Sequence, residues 1–337
     1  MRVAVLGGGP SGEHEVSLAS AASIRGGLEA AGHTVASIEI TRDGQWLHDS
    51  AELQLTPAGG LLDCDVVFPA LHGPYGEDGV VQGVLECLKV AYVGSGVASS
   101  ALCIDKVSSK RLMAAAGVPQ VAFRGIARER FDAERAELFA DLEPLGAPLF
   151  VKPARMGSSV GITKVSEGGL ELVAALELAF AHDDVAIVEA AAPGIEVECS
   201  VLGELPPRAS QAGEIVLHSD IYDYAAKYEP GGMELVVPAR ITSAALGAVR
   251  RLAITVFELC GCADLARVDF FVDGDNVLLN ELNTMPGFTA TSVYAKLWEA
   301  DGIVYPTLVD RLCRFALARH ERIRGAPAAS GARRATD

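Results

Sequence analysis

An apolar run at residues 2–6 ends in Gly7-Gly8-Gly9, the pattern of a buried parallel strand entering a glycine turn. Small and apolar residues then recur near helical spacing over about 16–30. Residues 35–40 and 65–70 read as further strands, and 78–88 as another helix. Strands that alternate with helices predict right-handed crossovers and a parallel sheet.

The texture changes from Asp105 onward. A lysine-containing amphipathic helix over 105–117 leads through Pro119 into a strand at 120–124, with a helix near 131–140. Residues 149–153 and 160–165 are strands separated by six residues rich in glycine and serine, which predicts an antiparallel hairpin and not a crossover. Further strands are expected at 185–189 and 196–202, followed by a long polar loop over about 219–233 and a helix at 242–260. In that helix Ile241, Ala245, Ala248, Leu252, Val256 and Leu259 are expected to form the buried stripe. After Arg324 the chain runs Gly-Ala-Pro-Ala-Ala-Ser-Gly-Ala-Arg-Arg before its last residues and lacks the apolar content to fold. No internal repeat of 20–50 residues is visible. A chain of 337 residues accommodates about two or three domains at roughly 150 residues each. The fold class is α/β, with α+β modules after a Rossmann-like parallel sheet.

Composition narrows the function. Lys and Arg number 28 against 44 Asp and Glu, a formal net charge of -16. Such a surface argues against general binding to nucleic acid or anionic membranes, while leaving room for a local basic pocket. No stretch approaches the roughly 18 apolar residues of a spanning helix, and the N-terminus lacks the pattern of a secretory signal. The seven cysteines are scattered, mostly in apolar runs (Cys64, Cys87, Cys103, Cys199, Cys313), and no second pair answers Cys260 and Cys262 at zinc-finger spacing. Buried, reduced thiols in a cytoplasmic enzyme are expected.

Three groups of residues could carry chemistry. Gly7 to Gly12 satisfies G-x-G-x-x-G after a strand, with Glu39 ending the second strand where a ribose-binding acid sits in nicotinamide enzymes. Glu13 and Glu15 count against a dinucleotide, because carboxylates at a helix N-terminus repel phosphate and suit an ammonium group. Lys152 precedes a turn containing Gly157, Ser158 and Ser159, and Lys106 lies earlier. A lysine with backbone N–H groups and hydroxyls can grip phosphate from two sides, although the order is not that of a Walker loop. Period-two alternation puts Arg267, Asp269 and Phe271 on one strand face and Glu281 with Asn283 on another. A three-residue hairpin loop at 274–276 would place Asp269 opposite Glu281 and Arg267 opposite Asn283. Two facing carboxylates repel; a hard divalent cation relieves this, and acids with an amide oxygen suit Mg²⁺ beside phosphates. The segment 223–228, with Lys227 and Tyr228, lies in the polar loop and reads as a lid.

Seven segments in order resemble the D-alanine–D-alanine ligases of the ATP-grasp superfamily: Gly-Glu-His-Glu-Val-Ser-Leu-Ala-Ser at 12–20, His-Gly-Pro-Tyr-Gly-Glu-Asp-Gly at 72–79, Tyr-Val-Gly-Ser-Gly at 92–96, the stretch 152–161, Tyr-Asp-Tyr-Ala-Ala-Lys-Tyr at 222–228, Arg-Val-Asp at 267–269, and Asn-Glu-Leu-Asn-Thr-Met-Pro-Gly-Phe-Thr at 280–289. The resemblance implies three domains, here 1–103, 104–190 and 191–319, with a disordered tail at 320–337 and ATP clamped between the second and third. It implies ATP-dependent joining of two D-alanines through an acyl phosphate for peptidoglycan synthesis, in a cytoplasmic homodimer that binds neither nucleic acid nor membrane. Carried over, Glu15 would hold the first alanine's ammonium, and Arg267 with the Gly287 backbone the oxyanion. Asp269, Glu281 and Asn283 would ligate two Mg²⁺ ions, which Mn²⁺ could replace. Lys106, Lys152, Lys227 and Ser159 would contact phosphates, and Glu189 and Glu196 the adenine and ribose. Ser158 would link Glu15 to Tyr228, Ser292 would take the second alanine's carboxylate, and His72 would handle a proton. Ala190-Ala191-Ala192 departs from the larger or charged residues that many members carry there. Tyr228 resembles the dipeptide-forming type; D-serine or D-lactate as second substrate is the alternative within the family, and a nicotinamide oxidoreductase the alternative outside it.

Overall fold

The computed structural model describes residues 1–157, 160–217 and 232–325. The chain opens with β1 (Arg2–Gly8), α1 (His14–Ala30) and β2 (Thr34–Ile40). A short antiparallel extension follows, β3 (Trp46–His48) and β4 (Ala51–Glu52), which the hydrophobic pattern does not announce. Next come β5 (Val66–Pro69), α2 (Val80–Leu88) and β6 (Ala91–Tyr92). The sheet order is β4-β3-β2-β1-β5-β6, with β1, β2, β5 and β6 parallel. β1 is buried from Val3 onward, which explains its unbroken apolar run.

α3 (Val97–Ile104) and α4 (Lys106–Ala115) lead out of this sheet, with the Asp105 carboxylate accepting from Ser108 N at 2.9 Å to cap α4. The second sheet is antiparallel. Its strands are β7 (Phe123–Ala127), β8 (Leu149–Pro153), β9 (Thr163–Val165) and β10 (Val185–Ala190), in the order β7-β10-β8-β9. Helices α5 (Arg128–Ala133), α6 (Arg135–Leu142) and α7 (Leu170–Phe180) share with it the core of Phe131, Leu138, Val151, Leu176 and Val188. The expected strand at 120–124 begins instead at Phe123, because Pro119 O accepts from Leu279 N of the third sheet and draws this stretch away. The single helix expected near 131–140 is two, broken at Glu134, whose φ of -128° is not helical.

The third sheet comprises β11 (Ile195–Leu202), β12 (Arg208–Leu217), β13 (Met233–Val236), β14 (Leu265–Asp273) and β15 (Asn276–Asn283), in the antiparallel order β13-β12-β11-β14-β15. α8 (Ser243–Leu259) packs on one face, capped by Thr242 Oγ1 accepting from Ala245 N. Its buried stripe is Ala245, Val249, Ala253, Val256 and Phe257, one position round from the expected one, so Leu259 is exposed. The β14–β15 hairpin also differs in detail. The loop is the two residues Gly274 and Asp275, with Gly274 at φ +58°, and a bulge follows Asp269. The two changes cancel, so Asp269 still faces Glu281 and Arg267 still faces Asn283.

α9 (Val293–Ala300) follows, and α10 (Tyr305–Gly325) returns to the first sheet. There Leu308, Val309, Leu312 and Cys313 join Ile24 and Leu28 of α1, Val3 and Phe68, and Phe288 and Trp298 in one core. Residues 320–325 thus belong to α10, because the breakers arrive only at Gly325 and Pro327; the rest of the expected tail lies outside the described residues. All seven cysteines are free thiols, but Cys87 is exposed, contrary to its apolar surroundings in sequence. Among the described residues no helix is long and apolar enough to cross a membrane.

The fully buried Leu312 joins the last helix to the first sheet. Leu312→Ala should cost about 2–5 kcal/mol, read as a lower urea midpoint. A loss under about 1 kcal/mol would show that α10 does not share that core.

Candidate active site

A cavity of about 740 Å³ opens where the three sheets meet, lined by Glu13, His72 and Glu77, by Lys106, Lys152 and Glu189, and by Arg267, Glu281, Asn283, Gly287 and Ser292. The glycine turn after β1 is not part of the lining and offers no phosphate cradle. Gly8 N donates to Ser17 Oγ at 2.8 Å, Gly9 N to Ile40 O at 2.7 Å, and the His14 ring to Gly9 O at 2.7 Å. The donors a pyrophosphate would use are spent on the protein itself, and Glu39 is exposed.

At the start of α1, Glu13 turns inward and Glu15 outward. Residues two apart on a helix point in different directions, so Glu13 is buried in the cavity wall while Glu15 lines it only from the mouth. Glu13 is 7% exposed. The Glu15 side chain is 75% exposed and pairs with Arg42 at 3.1 Å, at the rim. Glu13 Oε2 packs so tightly on Gly73 that a Cβ there would come within 2.3 Å of it. Glu77, one turn beyond, accepts from Gly73 N at 2.8 Å and Met285 N at 3.2 Å. Burial, and then the Glu13 charge, push its carboxyl up to about 8.

His72 is buried with both ring nitrogens engaged. Nδ1 donates to Met285 O at 3.0 Å and Nε2 meets Ser20 Oγ at 2.9 Å, so the ring ties the loop after β15 to α1. Burial lowers its pKa, which favours the neutral ring. Phe288 N donates to Ser20 Oγ and Ala290 N to Ser23 Oγ, fixing the rest of the loop. Gly287 lines the cavity there. Ser292 Oγ accepts from Thr289 N at 3.0 Å and lies 2.8 Å from Thr289 Oγ1.

Across the cavity Lys152 lies 2.7 Å and Lys110 2.8 Å from the two oxygens of Glu189. Burial alone would raise the Glu189 carboxyl, but the two ammonium groups hold it at about 2. The carboxylate expected to reach the nucleotide thus pairs with two lysines at the cavity wall, which Glu196, partly exposed at the start of β11, also lines. Lys106 Nζ donates to Met156 O at 2.6 Å and stands 3.9 Å from Glu281. Ala190 and Ala192 line the wall. Ser158, Ser159, Lys227 and Tyr228 lie outside the described residues.

On β14, Arg267 grips Asp269 with two bonds, Nε to Oδ1 at 2.8 Å and Nη2 to Oδ2 at 2.7 Å, while Asn283 Nδ2 donates to Oδ2 at 3.0 Å. Asp269 is 2% exposed; Glu281 reaches the cavity. Three further groups, the buried Lys110 and Glu198 and the half-buried Glu77, were not singled out from the sequence. Glu77 lies inside a matched segment, Lys110 falls one turn after Lys106 on α4, and Glu198 alternates with Glu196 on β11.

The comparisons decide the family. Residues 112–314 match the family described as D-ala D-ala ligase C-terminus, and residues 2–63 and 54–95 match D-ala D-ala ligase N-terminus. The chain belongs to the D-alanine–D-alanine ligase family. It is 44% identical to the D-alanine–D-alanine ligase of Deinococcus radiodurans over 334 residues, covering 94% of this chain and 98% of that one. Among solved structures it is similar to the D-alanine-D-alanine ligase from Coxiella burnetii, with TM-score 0.85, 34% identity and 96% of each chain covered. It is similar also to the VanG D-Ala:D-Ser ligase from Enterococcus faecalis, with TM-score 0.84, 36% identity, and 94% of this chain and 99% of that one covered. The resemblance read from the ordered segments therefore holds, and the nicotinamide reading of the glycine turn is overturned.

The lysine–glutamate–lysine group of this family member is open to a stability test. Glu189→Gln strands two ammonium groups and should cost about 3–5 kcal/mol at neutral pH. Because the Glu189 carboxyl lies below its ordinary 4.5, its contribution is present above that pH and fades as the pH falls toward about 2. The gap in melting temperature between wild type and variant should close over that window; a gap independent of pH would refute the ion-pair account.

Proposed function

We propose that this ligase joins two D-alanine molecules with ATP, forming D-alanyl-D-alanine, ADP and phosphate. The observation that carries the reading is the Asp269–Glu281 pair with Arg267 at the wall of a cavity that also holds lysines and an inward acid. A carboxylate is a poor acyl donor. The first D-alanine carboxylate attacks the ATP γ-phosphorus, ADP departs, and an acyl phosphate results. The second D-alanine's amine, having lost its proton, attacks the acyl carbon, and the tetrahedral intermediate expels phosphate. The cavity's walls and loop keep water from the acyl phosphate.

Glu13, in place of Glu15, takes the first ammonium group, assisted by Glu77. Arg267 and the Gly287 backbone meet the developing oxyanion, Ser292 receives the second carboxylate, and Lys106 and Lys152 meet phosphate oxygens. Glu196 takes the ribose, while Glu189 acts by orienting Lys152. Asp269, Glu281 and the Asn283 amide are hard oxygen donors suited to Mg²⁺, or Mn²⁺ in its place, with phosphates and water supplying the remaining ligands. When bound, the ions neutralise the charge that develops on the phosphates. The ATP requirement fits a cytoplasmic setting, and a homodimer accords with the family resemblance. Similarity to a D-Ala:D-Ser ligase keeps D-serine as the second reading; a panel of D-amino and D-hydroxy acids with mass detection of product separates the two.

Release of ADP should require D-alanine and Mg²⁺ together. Glu281→Ala should reduce kcat by more than about 100-fold, beyond the loss typical of outer metal partners, without lowering the melting temperature appreciably. Near-normal turnover in saturating Mg²⁺ would remove Glu281 from the site.

The raised Glu77 carboxyl gives a second expectation. In the empty site it carries a proton below about pH 8, and an ammonium group set between Glu13 and Glu77 drives that proton off. Binding of the first D-alanine should therefore release a proton at neutral pH and tighten as the pH rises to about 8, levelling above. Calorimetry in two buffers of different ionisation enthalpy reads this directly; zero net proton release would exclude Glu77 from ammonium binding.

A further inference from the structure

Glu198 is a carboxylate with no exposed surface, set in the middle of the third sheet. Burying such a charge is costly unless it is paired, and its partner is Arg267, whose Nε lies 2.8 Å from Oε2. Register places Glu198 opposite Asp269 on β14, and Asp269 opposite Glu281 on β15. Three carboxylates thus form one row across three strands, with a single guanidinium hydrogen-bonded to Asp269 and ion-paired with Glu198.

Arg267 is held from two sides, and the two sides have different futures in the proposed reaction. Both oxygens of Asp269 are engaged by Arg267 and Asn283. To serve as a metal ligand, Asp269 must give up part of that engagement. Arg267 would then lose one of its two carboxylate holds in the row while a second anion keeps the other. Glu198 is that anion: fully buried, away from the metal-facing edge of the row, and with a backbone fixed by strands on both sides.

We infer that Glu198 is a positioning residue that keeps Arg267 aimed into the cavity and so frees Asp269 for the divalent cation. This rests on the metal assignment made above. Without Glu198, Arg267 has Asp269 as its remaining carboxylate partner in the row and competes with the metal for it. The signature is a coupled loss, in which metal affinity falls and turnover falls while KM for D-alanine is kept.

The experiment uses the full chain and Glu198→Gln, which preserves shape and removes the charge. Mn²⁺ binding in the presence of ADP is read by electron paramagnetic resonance, which needs no turnover. The expected result is a dissociation constant for Mn²⁺ raised about tenfold. With it, kcat should fall about tenfold or more while KM for D-alanine stays within about twofold. Glu198→Asp should recover part of both, as a positioning charge requires. A background of Arg267→Met separates action through Arg267 from the simple loss of a nearby negative charge. If Glu198 works through Arg267, adding Glu198→Gln there leaves Mn²⁺ binding unchanged; an equal weakening in both backgrounds overturns the proposal. Should Glu198→Gln melt far below wild type, Mn²⁺ binding is read below that variant's transition, where wild-type affinity and kcat would overturn the inference. Glu281→Ala guards the underlying reading. If that variant loses ADP-dependent Mn²⁺ binding while Glu198→Gln keeps it, the positioning role fails and the site stands. If Glu281→Ala binds Mn²⁺ as wild type does, the metal assignment itself fails.

Discussion

Carboxylates placed opposite each other on an antiparallel ladder repel, and the register sets Asp269 against Glu281 with Glu198 one strand further on. The surrounding structure answers that repulsion in three ways. Arg267 lies between two of the acids, Asn283 donates an amide hydrogen to the third partner's neighbour Asp269, and Lys106 approaches Glu281 from α4. Each of these groups lines or borders the cavity, so the devices that make the sheet tolerable also furnish its chemistry. The apolar face of the same strands, Val268, Phe270 and Val272, is sealed by the core shared with α8 and supplies the hydrophobic stabilisation that the polar face lacks.

A second constraint joins distant parts of the chain. The loop after β15 carries Met285, Gly287 and Phe288, and its backbone is bonded to Glu77, His72, Ser20 and Ser23 of the first unit, more than 200 residues earlier. Tyr305 adds a bond to Phe288 O at 2.7 Å as α10 starts back toward the first sheet. An oxyanion donor must be held rigidly to be useful. Here rigidity comes from anchoring the loop to α1, which also presents Glu13. The two halves of the substrate cavity are thus one mechanical piece, and His72 serves it best as a neutral strut.

Much of this was legible in the residues. Period-two alternation alone put Arg267 and Asp269 on one face, and the pairing with Glu281 and Asn283 survived because a shorter turn and a bulge offset each other. That outcome was not readable, since both a two-residue and a three-residue turn fit Gly274-Asp275-Asn276. The choice between Glu13 and Glu15 depended on where α1 begins, and a shift of one or two residues there exchanges the inward acid for the outward one. Lys110 and Glu198 carried the right spacing, i+4 on a helix and i+2 on a strand. Their meaning appeared only when the fold brought Glu189 and Arg267 to them. The return of α10 to the first sheet has no local signal, because a helix's apolar stripe says that it packs but not against what.

Counting charge around the cavity explains why a divalent ion belongs to the proposed function. Lys106, Lys110, Lys152 and Arg267 stand against Glu189, Glu198, Asp269 and Glu281, each cation within 4 Å of at least one of the acids. The lysines that would meet phosphate are thus already compensated, and in a protein of net charge -16 the wider field gives a triphosphate no welcome. Nucleotide arriving bare would bring several negative charges into a wall that is neutral at best. Arriving with magnesium, as proposed, it would bring its own compensation and relieve the facing acids in the same event, so the repulsion between Asp269 and Glu281 would become a preference for the metal-bound form of the substrate over the free one.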